Sequence, residues 1–312
     1  MAAVTAKMVK DLREMTGAGM MDCKKALSAT DGDMDKAVEF LREKGLAAAA
    51  KKAGRIAAEG LVKTVVDGDK RAAIVEVNSE TDFVAKNADF NAYVEAVAAQ
   101  ALSTTATDIE AFLEEPWALD TTKTVAQELS SKIAVIGENL SIRRFAKIEA
   151  EDGCVASYIH AGGKIGVLVE AKTDVVNDDI KECLRNVAMQ IAALNPKYTS
   201  REEVEAEFIE KEKEILKAQI MNDPKESQKP EKVIEGMIAG RINKELKEFC
   251  LLDQTYVKAE DGKQSVANYV KSVATATGAN FSIKGFVRFE TGEGIEKKEE
   301  NFAEEVAKQM GM

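Results

Sequence analysis

The sequence is poor in the residue types from which most active sites and metal centres are built. It has a single histidine, His160, and four widely separated cysteines, none of which forms a C-x-x-C pair. One imidazole cannot supply a nucleophile–base constellation or a zinc site, and scattered cysteines do not make a disulfide framework. We therefore expect no catalytic residue, no bound metal and no cofactor. The cysteines, which we expect to be buried as small apolar groups, are Cys23, Cys154, Cys183 and Cys250.

The chain also lacks a basic balance of charge and any long apolar run. Its net charge is -11, and an acidic chain is repelled by phosphate, so we expect no direct contact with nucleic acid. No apolar run approaches the roughly 18 residues of a membrane span. The first residues have neither the apolar core of a signal peptide nor the Arg-rich character of a transit peptide. These absences predict a bacterial cytoplasmic protein without membrane contact.

Two glycine-rich stretches could be mistaken for phosphate-binding loops. In Ala161–Lys164 (AGGK) the lysine is followed by Ile165 and a strand-like run, whereas a P-loop needs Ser or Thr and then a helix. Gly17–Gly19 precedes a short helical pattern, but no strand leads into it, so the dinucleotide-binding fingerprint fails. Both stretches are interpreted as turns, and an enzyme is disfavoured.

The first 45 residues predict a bundle of three short helices. Thr5 caps the first helix, which ends at Gly17, and Gly19 opens the second. Asp33 caps the third, which is predicted to stop at Gly45. The apolar face of the first helix is formed by Met8, Val9, Leu12 and Met15.

A pattern of two strands and a helix then occurs twice. The strand-like runs Gly60–Val66 and Arg71–Asn78 flank a DGDK turn and precede a helical pattern that starts near Asp89. The same order recurs later in Gly153–His160, Ile165–Ala171 and a helix at Asp178–Leu194. Two related α+β subdomains, each a small sheet covered by helices, explain this recurrence.

The later part of the chain predicts a helical hairpin and a final strand and helix. Amphipathic patterns lie on both sides of a break that contains two prolines, within Thr199–Cys250. The hairpin either projects from the body or lies flat on it, and the pattern alone does not decide. A strand carries Phe281 and Phe289 on one face, and Asn301 caps a last helix. The acidic stretch Ser103–Asp120 reads as irregular, and its Trp117 is expected to serve local packing.

These patterns predict an α+β fold with a duplicated core and six segments. They are a three-helix partner-binding module (1–45), a linker (46–58), a first core subdomain (59–139), a second core subdomain (140–198 with 251–290), a coiled-coil helical hairpin (199–250) and a C-terminal module (291–312).

Three features are candidates for contact with another protein. Phe83 falls on the connection after the second strand, where a large aromatic either folds back onto its own core or anchors a partner. Met20 and Met21 stand together at a helix start and cannot both face one small core, so at least one suits an adaptable contact patch. His160 ends a strand just before a Gly-Gly turn, a place where a structural role is more common than a functional one.

Five long motifs carry a resemblance to a known family. They are TGAGMMDCKKAL at Thr16–Leu27, NSETDFVAKN at Asn78–Asn87, IGEN at Ile136–Asn139 with Arg143 and Arg144, YIHAGGKIGVL at Tyr158–Leu168, and FVRFETGEGIE at Phe286–Glu296. In this order they resemble the translation elongation factor Ts family, over nearly the whole chain. The resemblance implies a ubiquitin-associated-like N-terminal module, a two-subdomain core and a protruding coiled-coil hairpin.

The resemblance further implies a guanine nucleotide exchange factor, without covalent chemistry, for the GTPase elongation factor Tu. The residues that match the family's segment near the GTPase's Mg²⁺ site are Thr81, Asp82, Phe83 and Val84. Arg13, Met20 and Met21 match contacts to the nucleotide domain, and His160 matches a contact to a β-barrel domain.

The implied partner is bound both with GDP and without nucleotide, in a 1:1 or 2:2 complex. The main alternative is a passive holder or chaperone of the same GTPase, because both functions need the same surfaces. An RNA-binding accessory factor is disfavoured by the acidic charge.

Overall fold

The computed structural model describes residues 4–296 and confirms a mixed α+β fold. The helices are α1 (Ala6–Thr16), α2 (Met20–Ala29), α3 (Met34–Lys52), α4 (Asp82–Ala85), α5 (Ala88–Ser103), α6 (Ile109–Glu114), α7 (Val125–Ile136), α8 (Asp178–Leu194), α9 (Ala206–Asn222), α10 (Glu231–Phe249) and α11 (Val266–Thr277). The strands are β1 (Glu59–Asp67), β2 (Arg71–Ser79), β3 (Pro116–Trp117), β4 (Asp120–Thr124), β5 (Leu140–Glu149), β6 (Gly153–His160), β7 (Ile165–Lys172) and β8 (Ser282–Glu290).

The chain divides into two compact units. Among the described residues, unit 1 comprises 4–63, 74–146 and 289–296, and unit 2 comprises 64–73 and 147–288. The finer division into six segments remains a prediction. The predicted helix capped by Asn301 lies outside the described residues. No helix within residues 4–296 is both long and apolar enough to cross a membrane.

The N-terminal helices of unit 1 begin and end largely where the capping residues predict. The Thr5 hydroxyl accepts a hydrogen bond from the Met8 backbone N–H, and Gly17 closes α1 in the left-handed conformation. The Asp33 carboxylate accepts from the Lys36 backbone N–H and so caps α3. The small core of this bundle contains Val9, Leu12, Cys23, Ala26, Leu27 and Ala37. The prediction that Met15 belongs to the apolar face of α1 is wrong, because its side chain is 63% exposed.

Helix α3 does not stop at Gly45, as the sequence predicts, but continues to Lys52. Gly45 is buried against α7, where an added Cβ would lie 3.6 Å from the Ser130 carbonyl oxygen. The Arg42 guanidinium donates to the Thr122 carbonyl and to the Gln127 side chain, at 2.8 and 3.0 Å. The three-helix bundle is therefore fixed to α7 by α3.

The predicted recurrence is present as two three-stranded sheets. Their strand orders are β1–β2–β5 and β6–β7–β8, so each consists of a hairpin plus a strand from later in the chain. Gly60 opens the first hairpin with φ 129°, and an added Cβ would lie 2.2 Å from the Val77 carbonyl oxygen. Gly153 opens the second, where a Cβ would lie 1.9 Å from the Ala171 carbonyl oxygen. Only glycine permits such a close approach of two backbones.

The long helix α8 of unit 2 packs against β6 and β7 and contributes more buried residues to that unit's core than any other element. Its Gln190 is fully buried, and the side chain donates to the Thr255 carbonyl and accepts from the Val257 backbone N–H. The NH₂ group and the carbonyl oxygen of this buried amide therefore both have hydrogen-bond partners, as buried polar groups usually do. The helices α9 and α10 pack against each other around an apolar seam that includes Leu216, Ile242 and Leu246.

A buried carboxylate organises the last described residues of unit 1. Glu76 on β2 is fully buried and pairs with Arg143 at 3.0 Å and with Arg144 at 2.6 Å. It also accepts the Gly292 backbone N–H at 2.8 Å, while Arg144 donates to the Glu290 carbonyl. Losing a partner would leave a charge uncompensated in the interior, which strongly destabilises proteins. Glu76 therefore joins β2, β5 and residues 290–293.

The region between α5 and α7 is more regular than its composition indicates. The stretch Ser103–Asp120, predicted to be irregular, contains α6 and β3, and β4 follows before α7 begins. Strands β3 and β4 pair antiparallel with an irregular register. Trp117 on β3 is buried with its ring 6.0 Å from that of Tyr93, which agrees with a packing role.

Candidate functional site

The motif segment after β2 presents an aromatic side chain to solvent. Phe83 is 79% exposed, so it does not fill the core of its own chain. The sequence predicts a loop at this point, whereas the structure shows the single-turn helix α4, of which only Ala85 is buried. Thr81 lies at the N-cap position of α4, and Val84 is partly exposed. Phe83 is thus an exposed aromatic on a short, defined element, which suits an interface anchor.

Hydrogen bonds from the turn after α7 hold the start of this segment. The Glu138 carboxylate accepts the Thr81 backbone N–H at 3.0 Å and the Thr81 hydroxyl at 2.7 Å. The Glu80 carboxylate accepts the Asn139 backbone N–H at 2.5 Å. The Ser79 hydroxyl donates to the Thr81 carbonyl at 3.0 Å. The segment is therefore attached to the end of α7 rather than held only by its own chain neighbours.

Asp82 carries the negative charge beside Phe83. Its carboxylate pairs with the Lys86 ammonium group at 2.6 Å, one helical turn later. The Lys86 side chain is 73% exposed and the Asp82 side chain 48%, and solvent-accessible pairs of this kind contribute little to stability. The Lys86 ammonium group also lies 5.8 Å from the centre of the Phe83 ring. Because the pair is weak, a partner with a better donor could take the Asp82 carboxylate from Lys86.

A methionine patch forms at the corner between α1 and α2 of unit 1. Met20 and Met21 are 59% and 62% exposed, so neither belongs to the core of the bundle. Arg13 is exposed in the last turn of α1, where its carbonyl accepts the Gly17 backbone N–H. Met15 on α1, whose exposure the sequence pattern missed, is a third exposed methionine, so the surface of the bundle carries flexible apolar side chains as well as a cation. Such surfaces adapt readily to a partner.

His160 belongs to unit 2, whereas the other candidates belong to unit 1. It ends β6 opposite Ile165 and is exposed. Its Nδ1 is 3.1 Å from the Tyr158 hydroxyl, and the two rings are 5.9 Å apart. A strand end fixes its backbone, and a neighbouring tyrosine restricts its side chain, so His160 offers a defined polar contact.

The cysteines are buried and unpaired, as predicted. Burial raises the pKa of all four thiols, that of Cys183 to about 12. They therefore stay protonated at neutral pH, and a protonated thiol is a poor nucleophile. Within residues 4–296, no group of three His, Cys, Asp or Glu side chains could hold a metal ion.

Sequence reasoning found the exposed side chains but missed their supports. Glu80 and Glu138 lie inside recognised motifs, yet nothing in the order of residues shows that each would bind the other's segment. Leu119, at the turn between β3 and β4, is 77% exposed and was also missed. The two turn residues, Ala118 and Leu119, are not among those typical of a β-hairpin turn, so the sequence carries no signal for it.

Comparison with known proteins gives matches to one family. Residues 80–293 match the family model described as Elongation factor TS. Proteins named Elongation factor Ts are 55% identical over 309 residues in Clostridium botulinum strain Eklund 17B, 54% over 311 in Clostridioides difficile strain 630 and 52% over 308 in Clostridium tetani strain Massachusetts. The alignments cover 98–99% of this chain and 99–100% of these relatives.

Proposed function

The chain belongs to the elongation factor Ts family, and on that premise we propose that it is the guanine nucleotide exchange factor of elongation factor Tu. The observation that carries the proposal is Phe83, 79% exposed on a short helix that the Glu138 carboxylate attaches to the end of α7. A rigidly mounted aromatic can enter a partner and displace groups there. The protein acts in this way in the bacterial cytoplasm without covalent chemistry.

The mechanism that we propose is displacement of the groups around the partner's Mg²⁺ ion. In GTPases this ion bridges nucleotide phosphates and protein oxygens, and so holds the nucleotide in place. Entry of Thr81, Asp82, Phe83 and Val84 beside the ion shifts those oxygens and weakens the binding of GDP. Asp82 either engages backbone donors of the partner or disturbs the metal's ligands.

Thermodynamic linkage makes the effects of GDP and of this protein on each other's binding reciprocal. If this protein lowers the affinity of the GTPase for GDP, GDP lowers the affinity of the GTPase for this protein by the same factor. The protein therefore binds both the GDP-bound and the nucleotide-free partner, and GTP binding dissociates the complex. The stoichiometry that we propose is either 1:1 or 2:2.

Catalytic turnover distinguishes an exchange factor from a holder. Elongation factor Tu loaded with fluorescent GDP is mixed with excess unlabelled nucleotide and a substoichiometric amount of this protein. We expect every partner molecule to release its label at an accelerated rate, because each exchange frees the protein for the next. Release limited to one partner per molecule of this protein would instead indicate the alternative function, a holder or chaperone.

The remaining candidates are proposed as binding contacts. Arg13, Met20 and Met21 contact the nucleotide-binding domain of the partner, and His160 contacts its β-barrel domain. The exposed methionines supply apolar area that the bundle itself does not use.

Replacing both Met20 and Met21 by alanine is expected to weaken the complex by about tenfold to a hundredfold. Both side chains are exposed in the free protein, so the fold should be unaffected. Isothermal titration against nucleotide-free partner measures the effect. Met221→Ala is the matched control, since Met221 is 52% exposed on α9, an element of unit 2. Unchanged affinity of the double variant would remove these residues from the interface.

A further inference from the structure

Two reciprocal hydrogen bonds connect the segment that carries Phe83 with the turn after α7, and each has a carboxylate as its acceptor. Glu138 accepts the backbone N–H of Thr81, the residue after Glu80. Glu80 accepts the backbone N–H of Asn139, the residue after Glu138. Each segment therefore supplies a carboxylate to the other's backbone. Hydrogen bonds with an ionised acceptor are shorter and stronger than neutral ones.

Further contacts from neighbouring residues join the same two segments. The Asn139 side-chain amide donates to the Arg55 carbonyl at 2.8 Å, and the Arg55 guanidinium lies 3.4 Å from the Glu80 carboxylate. The turn itself follows from Gly137, which ends α7 with φ 88° in the left-handed conformation. A glycine in this conformation is a common helix end and fixes the direction of the following residues. Glu138 therefore follows directly from the end of a regular helix.

Helix α4 needs such an external support. It has four residues, far fewer than an isolated helix requires for stability. Ala85 is its only buried residue, and the exposed Phe83 contributes almost no packing to its own position. Thr81 is at the N-cap but makes no side-chain cap bond, and its hydroxyl donates to Glu138. The orientation of the helix start thus depends on Glu138.

We propose that Glu138 is a positioning residue, which holds the helix that carries Phe83 in the orientation needed to displace the partner's Mg²⁺ ligands. This inference rests on the exchange function proposed above and deepens it. A side chain can displace groups of a partner only if the backbone segment that carries it keeps its own position. A preorganised anchor also avoids the loss of entropy that a mobile one suffers on binding. Glu138 acts through Thr81 and need not touch the partner.

The test measures the stimulated release of fluorescent GDP as a function of the concentration of this protein. For Glu138→Ala we expect the maximal release rate to fall by about tenfold, with a smaller change in the half-saturating concentration. Glu138→Gln retains one carbonyl acceptor and should be intermediate. Thr81→Val, which removes the hydroxyl that donates to Glu138, should also be impaired. Glu110→Gln, at an exposed carboxylate on α6, is the control.

A double variant separates positioning from general destabilisation. If Glu138 works only by orienting Phe83, Glu138→Ala should have no further effect on the maximal rate in a Phe83→Ala background. A full additional tenfold loss there, or wild-type maximal rates for Glu138→Ala and Glu138→Gln, would overturn the inference. Failure of the wild-type protein to stimulate release at all would instead overturn the proposed function on which it rests. Thermal unfolding of each variant confirms that folded protein is compared.

Discussion

Phe83→Ala is expected to slow the stimulated release of GDP by about tenfold to a hundredfold. The side chain is 79% exposed in the free protein, so nearly all of its apolar surface is available for burial in a partner. Full burial of a phenylalanine side chain is worth about 1.5–3 kcal/mol. In the proposed mechanism this free energy offsets the cost of displacing the Mg²⁺ ligands. An alanine side chain is too small to provide it. The loss should appear in the maximal rate, because the aromatic acts in the displacement step.

Stopped-flow release of fluorescent GDP at saturating concentrations of the variant measures this loss. Leu119→Ala is a matched control, because Leu119 is a similarly exposed apolar side chain, at 77%, on a different element of unit 1. Urea unfolding should give wild-type stability for both variants, since neither removes buried surface. Equal stimulation by Phe83→Ala and the wild-type protein would show that the aromatic has no part in displacement.

Gly60→Ala is expected to destabilise the protein by about 3 kcal/mol or more. At φ 129° the backbone of Gly60 is unfavourable for any residue with a side chain. The new Cβ would also lie 2.2 Å from the Val77 carbonyl oxygen and 2.7 Å from the Asn78 Cα, so the two strands would have to separate. The tight core of the first sheet resists such a shift, because protein interiors are closely packed.

A second glycine of the same hairpin separates steric overlap from backbone strain. Gly68 has φ 63°, but an added Cβ there would meet no atom within 4 Å. Gly68→Ala should therefore lose only about 1–2 kcal/mol. Urea unfolding of both variants, followed by circular dichroism, gives the comparison. If Gly60→Ala lost no more stability than Gly68→Ala, the close approach of β1 to β2 would be contradicted.

The elements that the sequence predicts best are those whose signals are local. Helix α8 and strand β6 have the predicted bounds, because their apolar periodicity is strong and clear turn residues flank them. The end of α3 was predicted wrongly, because Gly45 reads as a stop when only the chain itself is considered. The alanine-rich residues after it favour a helix, and packing against α7 covers the position of the missing side chain.

In the candidate site, too, features with a local sequence signal were predicted, and contacts between distant segments were not. Phe83, Met20 and Met21 stand out because an exposed aromatic or methionine conflicts with its local pattern. Glu138 is 57 residues from Thr81 in sequence, and carboxylates are abundant along the whole chain. No periodicity distinguishes a carboxylate that holds a distant segment from one that faces water. Such supports become visible only when the fold has brought the segments together.

The pairing of Glu76 with Arg143, Arg144 and the Gly292 backbone has a consequence for synthesis on the ribosome. The chain leaves unit 1 after Ala146 and returns to it only at Phe289. All of unit 2 is therefore translated before the Gly292 N–H that binds Glu76 exists. The unit that begins to emerge first is the last to be completed.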